Sequence, residues 1–373
     1  MQRCEVLIVG GGPAGSTCAW KLRRAGIDVL VLDKKSFPRD KICAGWVTPA
    51  VVRTLGLDIG DYTQAGRTFQ PITGFRTGVI GGTEVDTRYA EPVSYGIRRF
   101  EFDAYLLARS GAPLATPAPL KSLERQADGW VANGQIEARV VIGAGGHFCP
   151  VARSLGAQLG QSEQIVAAQE IEFPLTESQR REAAAEGHVP ELYFCDDMKG
   201  YGWVFRKGDY LNVGLGREDN HRLAEHVQSF AGWLKSRGRV PQDMPEKFGG
   251  HAYLLYNHAP RPFVADRALL IGDAAGLAYP QSGEGIRPAV ESAIFAAETL
   301  LAAHGDYREA NLASYGERML ERFGARQTHS LTDRLPEGLK RFLASRLLGN
   351  SWFTRNVVID KWFLHADQPV IAS

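Results

Sequence analysis

Residues 4–33 read CEVLIVGGGPAGSTCAWKLRRAGIDVLVLD. The apolar run predicts a buried strand over 4–9, the amphipathic spacing a helix over 13–25, and the second apolar run a strand over 28–32 that ends at Asp33. Strand, glycine turn, helix, strand is the order of a parallel βαβ unit. Gly10, Gly12 and Gly15 form a GxGxxG pattern at its turn. The first glycine permits the bend, the second lets backbone approach a pyrophosphate, and the third lets helix pack on strand. Pro13 and Ala14 open the helix, whose free amides and positive dipole end attract phosphate. Asp33 lies 23 positions after Gly10, where a carboxylate accepts hydrogen bonds from a ribose, and Lys34 follows it. A lone GxGxxG is weak; here it has its strand, its helix and its acidic partner, so it reads as a dinucleotide site.

Working outward, 373 residues suffice for two domains. The hydrophobic share of 44% and charged share of 23% are those of a globular enzyme. Lys and Arg number 43 against 42 Asp and Glu, a net charge of +1 that argues against nucleic acid as a partner. The five cysteines are widely spaced without a CxxC pair, which disfavours a disulfide framework or a zinc site and suits a reducing compartment. The histidines show no ligand spacing, so no metal is expected. The N-terminus lacks a secretory pattern and no run reaches the ~18 apolar residues of a membrane span. The expected location is the cytoplasm, with peripheral attachment to a membrane left open.

Along the chain, residues 36–50 read as loop before a helix near 50–55, and 65–97 as short antiparallel strands with glycine turns. A helix fits 100–109, a β-meander 119–143, antiparallel sheet 164–216, a helix 219–236, a buried strand 267–272 and a long helix 285–303. From 306 onward the pattern is helical. Its stretch 336–365 mixes Leu339, Phe342, Leu347, Trp352 and Phe363 with Arg341, Arg346 and Arg355. Such helices can lie on a membrane, but more often pack over their own domain.

A second motif occupies residues 269–291, LLIGDAAGLAYPQSGEGIRPAVE. A strand ends at Gly272–Asp273, a loop runs through Pro280, and Gly283, Glu284 and Gly285 lead into a helix at Ile286. Amides at this helix start suit the electron-rich end of a reduced flavin. The two motifs together resemble the flavoprotein superfamily of single-component aromatic hydroxylases, flavin-dependent halogenases and geranylgeranyl reductases. The resemblance spans most of residues 3–303. It implies FAD as cofactor, with Asp273, Pro280, Gly283 and Gly285 at the ribityl chain and ring. Residues 99–103, RFEFD, fit the superfamily's RxxFD element and make Arg99 a cofactor-side residue.

Residues 41–45, KICAG, resemble the KPCGG segment of the geranylgeranyl reductase branch, which passes close to the flavin and places Cys43 and Ala44 beside it. Residues 200–205, GYGWVF, resemble that branch's substrate-pocket segment and make Tyr201 and Trp203 candidate site residues. Ile42, Ala44 and Arg206 depart from the pattern, and Ala144-Gly145-Gly146 replaces an Ala-Asp-Gly linked to FAD and NAD(P)H handling.

The expected fold class is α/β: a Rossmann-type FAD-binding domain with an inserted antiparallel β-sheet substrate domain and a helical C-terminal region. The expected divisions are 1–64, 98–160 and 260–304 for FAD, 65–97 and 161–259 for substrate, and 305–373 for the C-terminal helices. The expected activity is that of an FAD-dependent oxidoreductase resembling geranylgeranyl reductases. A flavin monooxygenase acting on an aromatic, carrier-tethered or protein-bound substrate is the alternative. A non-catalytic prenyl-binding escort is disfavoured because both flavin motifs are kept. With one dinucleotide fingerprint, electrons must arrive from transiently bound NAD(P)H or a protein donor. Cys43 and Tyr201 are candidate proton donors by family position, and Trp203 and Phe205 candidate pocket walls.

Overall fold

Val6, Leu7 and Ile8 are fully buried, as a strand covered on both faces requires. They belong to the strand Gln2–Val9. It pairs in parallel with Ile136–Gly143 on one side and Val29–Leu32 on the other. Ala268–Leu270 and Leu114–Ala115 extend this parallel core outward. Leu123–Gln126, Gly129–Ala132 and Ile136–Gly143 form the expected meander. The computed structural model describes residues 1–158, 163, 165–219, 221–326 and 337–371.

The helix Pro13–Arg24 buries Ala14, Cys18, Ala19 and Leu22 along one stripe, and packs against the helices Arg99–Ser110 and Ile286–Ala302. Gly15 lets this helix cross the end of the strand Gln2–Val9: a Cβ there would lie 1.8 Å from the Gly10 carbonyl oxygen. The sequence thus demands glycine where the helix crosses the strand end.

A second sheet of seven strands runs in the order Gly249–Leu254, Ile165–Pro174, Tyr210–Arg217, Gly200–Lys207, Glu191–Phe194, Gly74–Val79 and Glu84–Arg88. Its pairs are antiparallel except that Glu191–Phe194 runs parallel to Gly74–Val79. The 65–97 segment therefore joins the later strands by a parallel pair. A small third sheet joins Trp46–Val47, Ser94–Ile97 and Phe69–Ile72, so the expected 36–50 loop ends in a short strand. Further elements escaped the sequence reading, among them the helix Pro150–Ser154, the edge strand Gly249–Leu254 and the short helices Ile59–Gln64 and Glu177–Glu182. The last carries a capping box from Thr176 and Gln179, a signal that was present in the sequence.

The tail forms Glu309–Phe323, Glu337–Leu348 and, after a short turn, the π-helical stretch Thr354–Phe363. Val358, Ile359 and Phe363 are fully buried against Trp46, Phe75 and Phe205. This end of the tail covers its own sheet, whereas Phe342, Leu347 and Trp352 are exposed. The position 336 that began the expected amphipathic stretch, and the expected boundary at 160/161, lie outside the described residues. Among the described residues no helix is long and apolar enough to cross a membrane.

Candidate active site

The two glycine motifs meet although more than two hundred residues separate them. A Cβ on Gly272 would stand 3.0 Å from Ala14 Cβ and 3.3 Å from Ala289 Cβ. Between the motifs and the second sheet lies a cleft of about 730 Å³. Gly10, Gly12, Pro13, Ala14, Asp33, Lys34, Cys43, Ala44, Arg99, Asp273, Gly283, Gly285 and Ile286 all line it, as do Tyr201 and Trp203. Gly15, Gly272 and Pro280 are not on its wall. Gly15 and Gly272 act through packing instead.

One end of the cleft is made of backbone. Gly10 has φ +116°, and a Cβ there would lie 2.3 Å from the Ala144 carbonyl oxygen. Gly12 caps its helix without a side-chain hydrogen bond, and a Cβ there would meet only Arg39 Nη2, at 3.5 Å. The first-turn amides thus face open space, as phosphate binding requires. Asp33 is 9% exposed; its carboxylate accepts from the Gly11 amide at 2.7 Å and the Lys35 amide at 2.9 Å. These two bonds fix its direction and leave lone pairs for ribose hydroxyls.

The second helix start matches the first. Gly285 caps Ile286–Ala302 with no side-chain bond, and Asp273 Oδ1 would be 3.1 Å from a Cβ on Gly285. Gly283 has φ +67° and is covered by Tyr253, whose hydroxyl would be 2.4 Å from a Cβ there. Bare backbone at both helix starts, the oriented Asp33 carboxylate and Asp273 on the cleft wall fit a flavin dinucleotide. Arg99 is buried and grips Asp103 through two bonds of 2.6 and 2.8 Å. Burial works against its charge, but Asp103, helped by the Cys43 sulfur, holds its pKa above the ordinary value. The Arg261–Glu163 pair is fully buried, and Arg261 also donates to the carbonyls of His147 and Ala274 at 2.9 and 3.0 Å. It ties the 144–148 segment to the loop after Asp273.

Behind Glu170 and Glu172, at the other end of the cleft, lies a side-chain network that the sequence did not reveal. Lys207, 1% exposed, binds Glu172 at 2.6 Å and the carbonyls of Ala44 and Ile97 at 3.0 and 3.1 Å. Asn212 donates to Glu172 and to the Cys43 carbonyl and accepts from the Trp203 indole at 2.7 Å. This network fastens the 41–46 segment to the second sheet. Removing the buried lysine from this half-buried pair costs about 3 kcal/mol. Burial pushes Glu172 up, but Lys207 and Arg98 outweigh that and hold it below the ordinary carboxylate range.

Lys41 and His251 face each other at 2.6 Å on the cleft wall. Burial, with Arg99 nearby, brings Lys41 down to about 8, and burial with Lys41 brings His251 down to about 2, so the imidazole is a neutral acceptor. Burial raises Glu170 and Glu284 each to about 7. Tyr201 donates its proton to the Ser282 carbonyl, and burial holds its pKa well above the ordinary tyrosine value. Burial also pushes up the thiols of Cys4, Cys18, Cys149 and Cys195. Cys43 is the cysteine on the cleft wall. Adjacent acidic residues in the strand sequence QEIEF were the available signal for Glu170 and Glu172, since charges at alternate strand positions share one face.

Residues 8–60 match the family described as NAD(P)-binding Rossmann-like domain, and residues 122–327 the family described as FAD binding domain. The geranylgeranyl diphosphate reductase of Oryza sativa subsp. japonica is 30% identical over 361 residues, 90% of this chain and 72% of that protein. A geranylgeranyl bacteriochlorophyll reductase-like protein of Thermoplasma acidophilum superposes with a TM-score of 0.74 at 20% identity, covering 100% of this chain and 94% of that one. PqsL of P. aeruginosa, solved with 2-aminobenzoylacetate, superposes with a TM-score of 0.68 at 21% identity, covering 92% of this chain and 100% of that one.

Proposed function

Since the chain belongs to the FAD-binding flavoprotein family that includes the geranylgeranyl reductases, we propose that this FAD-dependent oxidoreductase reduces carbon–carbon double bonds in a bulky apolar substrate of polyprenyl type. The observation that carries this reading is the wall facing the flavin end of the cleft: Ala168, Leu192, Trp203 and Phe205, with Trp46 beside them. Phe205 stacks on Trp46 with centroids 5.0 Å apart. Such a surface binds a hydrocarbon chain by excluding water.

In this reading residues 1–64, 98–160 and 260–304 hold the cofactor, 65–97 and 161–259 the substrate, and 305–373 are the helical C-terminal region. The Gly12 helix start binds the pyrophosphate, Asp33 the ribose, and Asp273 with the Gly285 helix start the ribityl chain and ring. Bound there, FAD supplies hydride transfer from its reduced ring. Trp203 and Tyr201 orient the substrate, and the Lys207–Glu172–Asn212 network keeps Cys43 and Ala44 against the ring. Transient NAD(P)H or a protein donor provides electrons. Five free cysteines support a reducing, cytoplasmic setting, and Phe342, Leu347 and Trp352 beside Arg346 support peripheral contact with a membrane.

Oxygenation of an aromatic substrate is the second reading, favoured by the aromatic content of the same wall. The test is to reduce the purified holoprotein chemically under anaerobic conditions and add geranylgeranyl diphosphate. Flavin reoxidation with gain of hydrogen by the prenyl chain is expected. Inert prenyl substrates, together with oxygen-dependent hydroxylation of an aromatic one, would overturn the reductase reading.

A further inference from the structure

We propose that Glu170 is the proton donor of the site, serving the substrate carbon that does not receive the hydride; this rests on the reductase reading above. Glu170 lies midway along the strand Ile165–Pro174, is 6% exposed, and lines the cleft. Its neighbours across both flanking strands are glycines, Gly214 and Gly249. No side chain at either paired position competes for the space beside it. The strip over Gly214 is filled by the Trp203 indole, whose Cζ2 would be 2.3 Å from a Cβ there. The strip over Gly249 is met by Ile42 Cδ1, at 3.0 Å. The carboxyl is thus flanked by apolar groups on both strand sides, and its Oε2 has no hydrogen-bond partner among the described residues.

The contrast with Glu172, two residues away on the same face, assigns the roles. Glu172 binds Lys207, Arg98 and Asn212 and stays ionised. Glu170 has no ion pair with Lys207 or Arg98; the Cys43 amide and the Asn212 side chain are its hydrogen-bonding neighbours. Burial raises it most; Lys207 on the strand Gly200–Lys207 opposes this, Glu172 adds to it, and the Cys43 amide and Asn212 side chain oppose it, leaving a pKa of about 7. Lys41 and His251 bind each other, and Tyr253 on the flanking strand Gly249–Leu254 is kept neutral by burial. Two carboxyls whose surroundings drive their pKa values apart are the usual mark of an acid beside a structural or electrostatic partner. Tyr201 and Cys43 are weaker candidates: the Tyr201 proton is committed to Ser282, and the Cys43 segment is held through its carbonyl.

The step balances. The alkene π bond breaks as one carbon takes a hydride from reduced flavin, which is oxidised by two electrons. The other carbon forms a C–H bond as the Glu170 O–H bond breaks. The alkene is reduced by two electrons, and the Glu170 carboxylate regains its proton from water between turnovers.

The test compares wild-type, Glu170→Gln and Glu170→Asp holoproteins. Infrared difference spectra should show protonated carboxyl absorbance in the wild type that fades as pH rises through about 7; Glu284 contributes to it in both proteins, and the share lost in Glu170→Gln is the Glu170 band. Anaerobic single-turnover reduction of geranylgeranyl diphosphate should fall about 100-fold or more in Glu170→Gln, with FAD content and substrate affinity retained and partial rescue in Glu170→Asp. A Glu170→Gln rate near wild type, or a Glu170 band that titrates in the ordinary carboxylate range, would overturn the proposal. A wild-type protein that shows the band but reduces no prenyl substrate would instead overturn the reductase reading, and the donor role with it.

Discussion

The Gly12 end of the cleft is built around a bare helix start with Asp33 beside it; the Glu170 end is built from side chains carried on several strands of a different sheet. The first end needs bare backbone at fixed spacing, so glycine is written into the chain at 10, 12, 15, 283 and 285. The second end needs charge balance among Lys207, Glu172, Asn212 and Glu170, which no spacing rule encodes. Backbone surfaces of this kind bind a feature every dinucleotide shares, whereas a side-chain surface can be adjusted to one substrate and one reaction.

The largest expected effect breaks the side-chain end. Lys207→Met leaves the half-buried Glu172 with Arg98 as its remaining cation and strands the carbonyls of Ala44 and Ile97, and should lower stability by about 3 kcal/mol, read as a shifted denaturation midpoint. Adding Glu172→Leu to it should recover much of that loss. If the single variant is as stable as wild type, the network does not fasten the 41–46 segment. Next comes the backbone end: Gly12→Glu sets a carboxylate against the pyrophosphate and should weaken FAD about 100-fold, as like charges at close range do, with the fold kept by circular dichroism. Asp33→Asn should cost about tenfold in FAD affinity, on the scale of a charge-assisted hydrogen bond, measured by flavin fluorescence. An affinity equal to wild type in both variants would move the cofactor elsewhere.

The smallest effect concerns pH. Burial raises Glu284 to about 7 from an ordinary 4.5. The folded chain therefore holds a proton that the unfolded chain releases between those values, so this stabilising contribution is complete below about 4.5 and lost as pH rises through 7. Glu284→Gln should flatten the fall of Tm between pH 5 and pH 8 by about 2 °C. An unchanged slope would mean the carboxyl is ionised throughout.

Legibility in the sequence followed the same division. The strand and helix of the first motif were placed within two residues, because apolar runs and a glycine turn are local signals. The second motif was placed equally well, and the convergence of the two followed from resemblance to flavoproteins. The parallel pairing of Gly74–Val79 with Glu191–Phe194 was not legible, since register between distant strands depends on tertiary packing. The Gly249–Leu254 edge strand, with GGH at its start, carries too little β-propensity to show. His251 looked like an ordinary histidine because its partner Lys41 is 210 residues away.

The central claim is that both glycine motifs grip one FAD. The direct measurement is flavin stoichiometry and visible absorbance of the purified chain, before and after incubation with FAD, beside Gly12→Glu and Asp273→Ala. About one FAD per chain in the wild type, with clear loss in each variant, is the expected result. A folded, colourless wild-type protein that takes up no FAD would contradict the account.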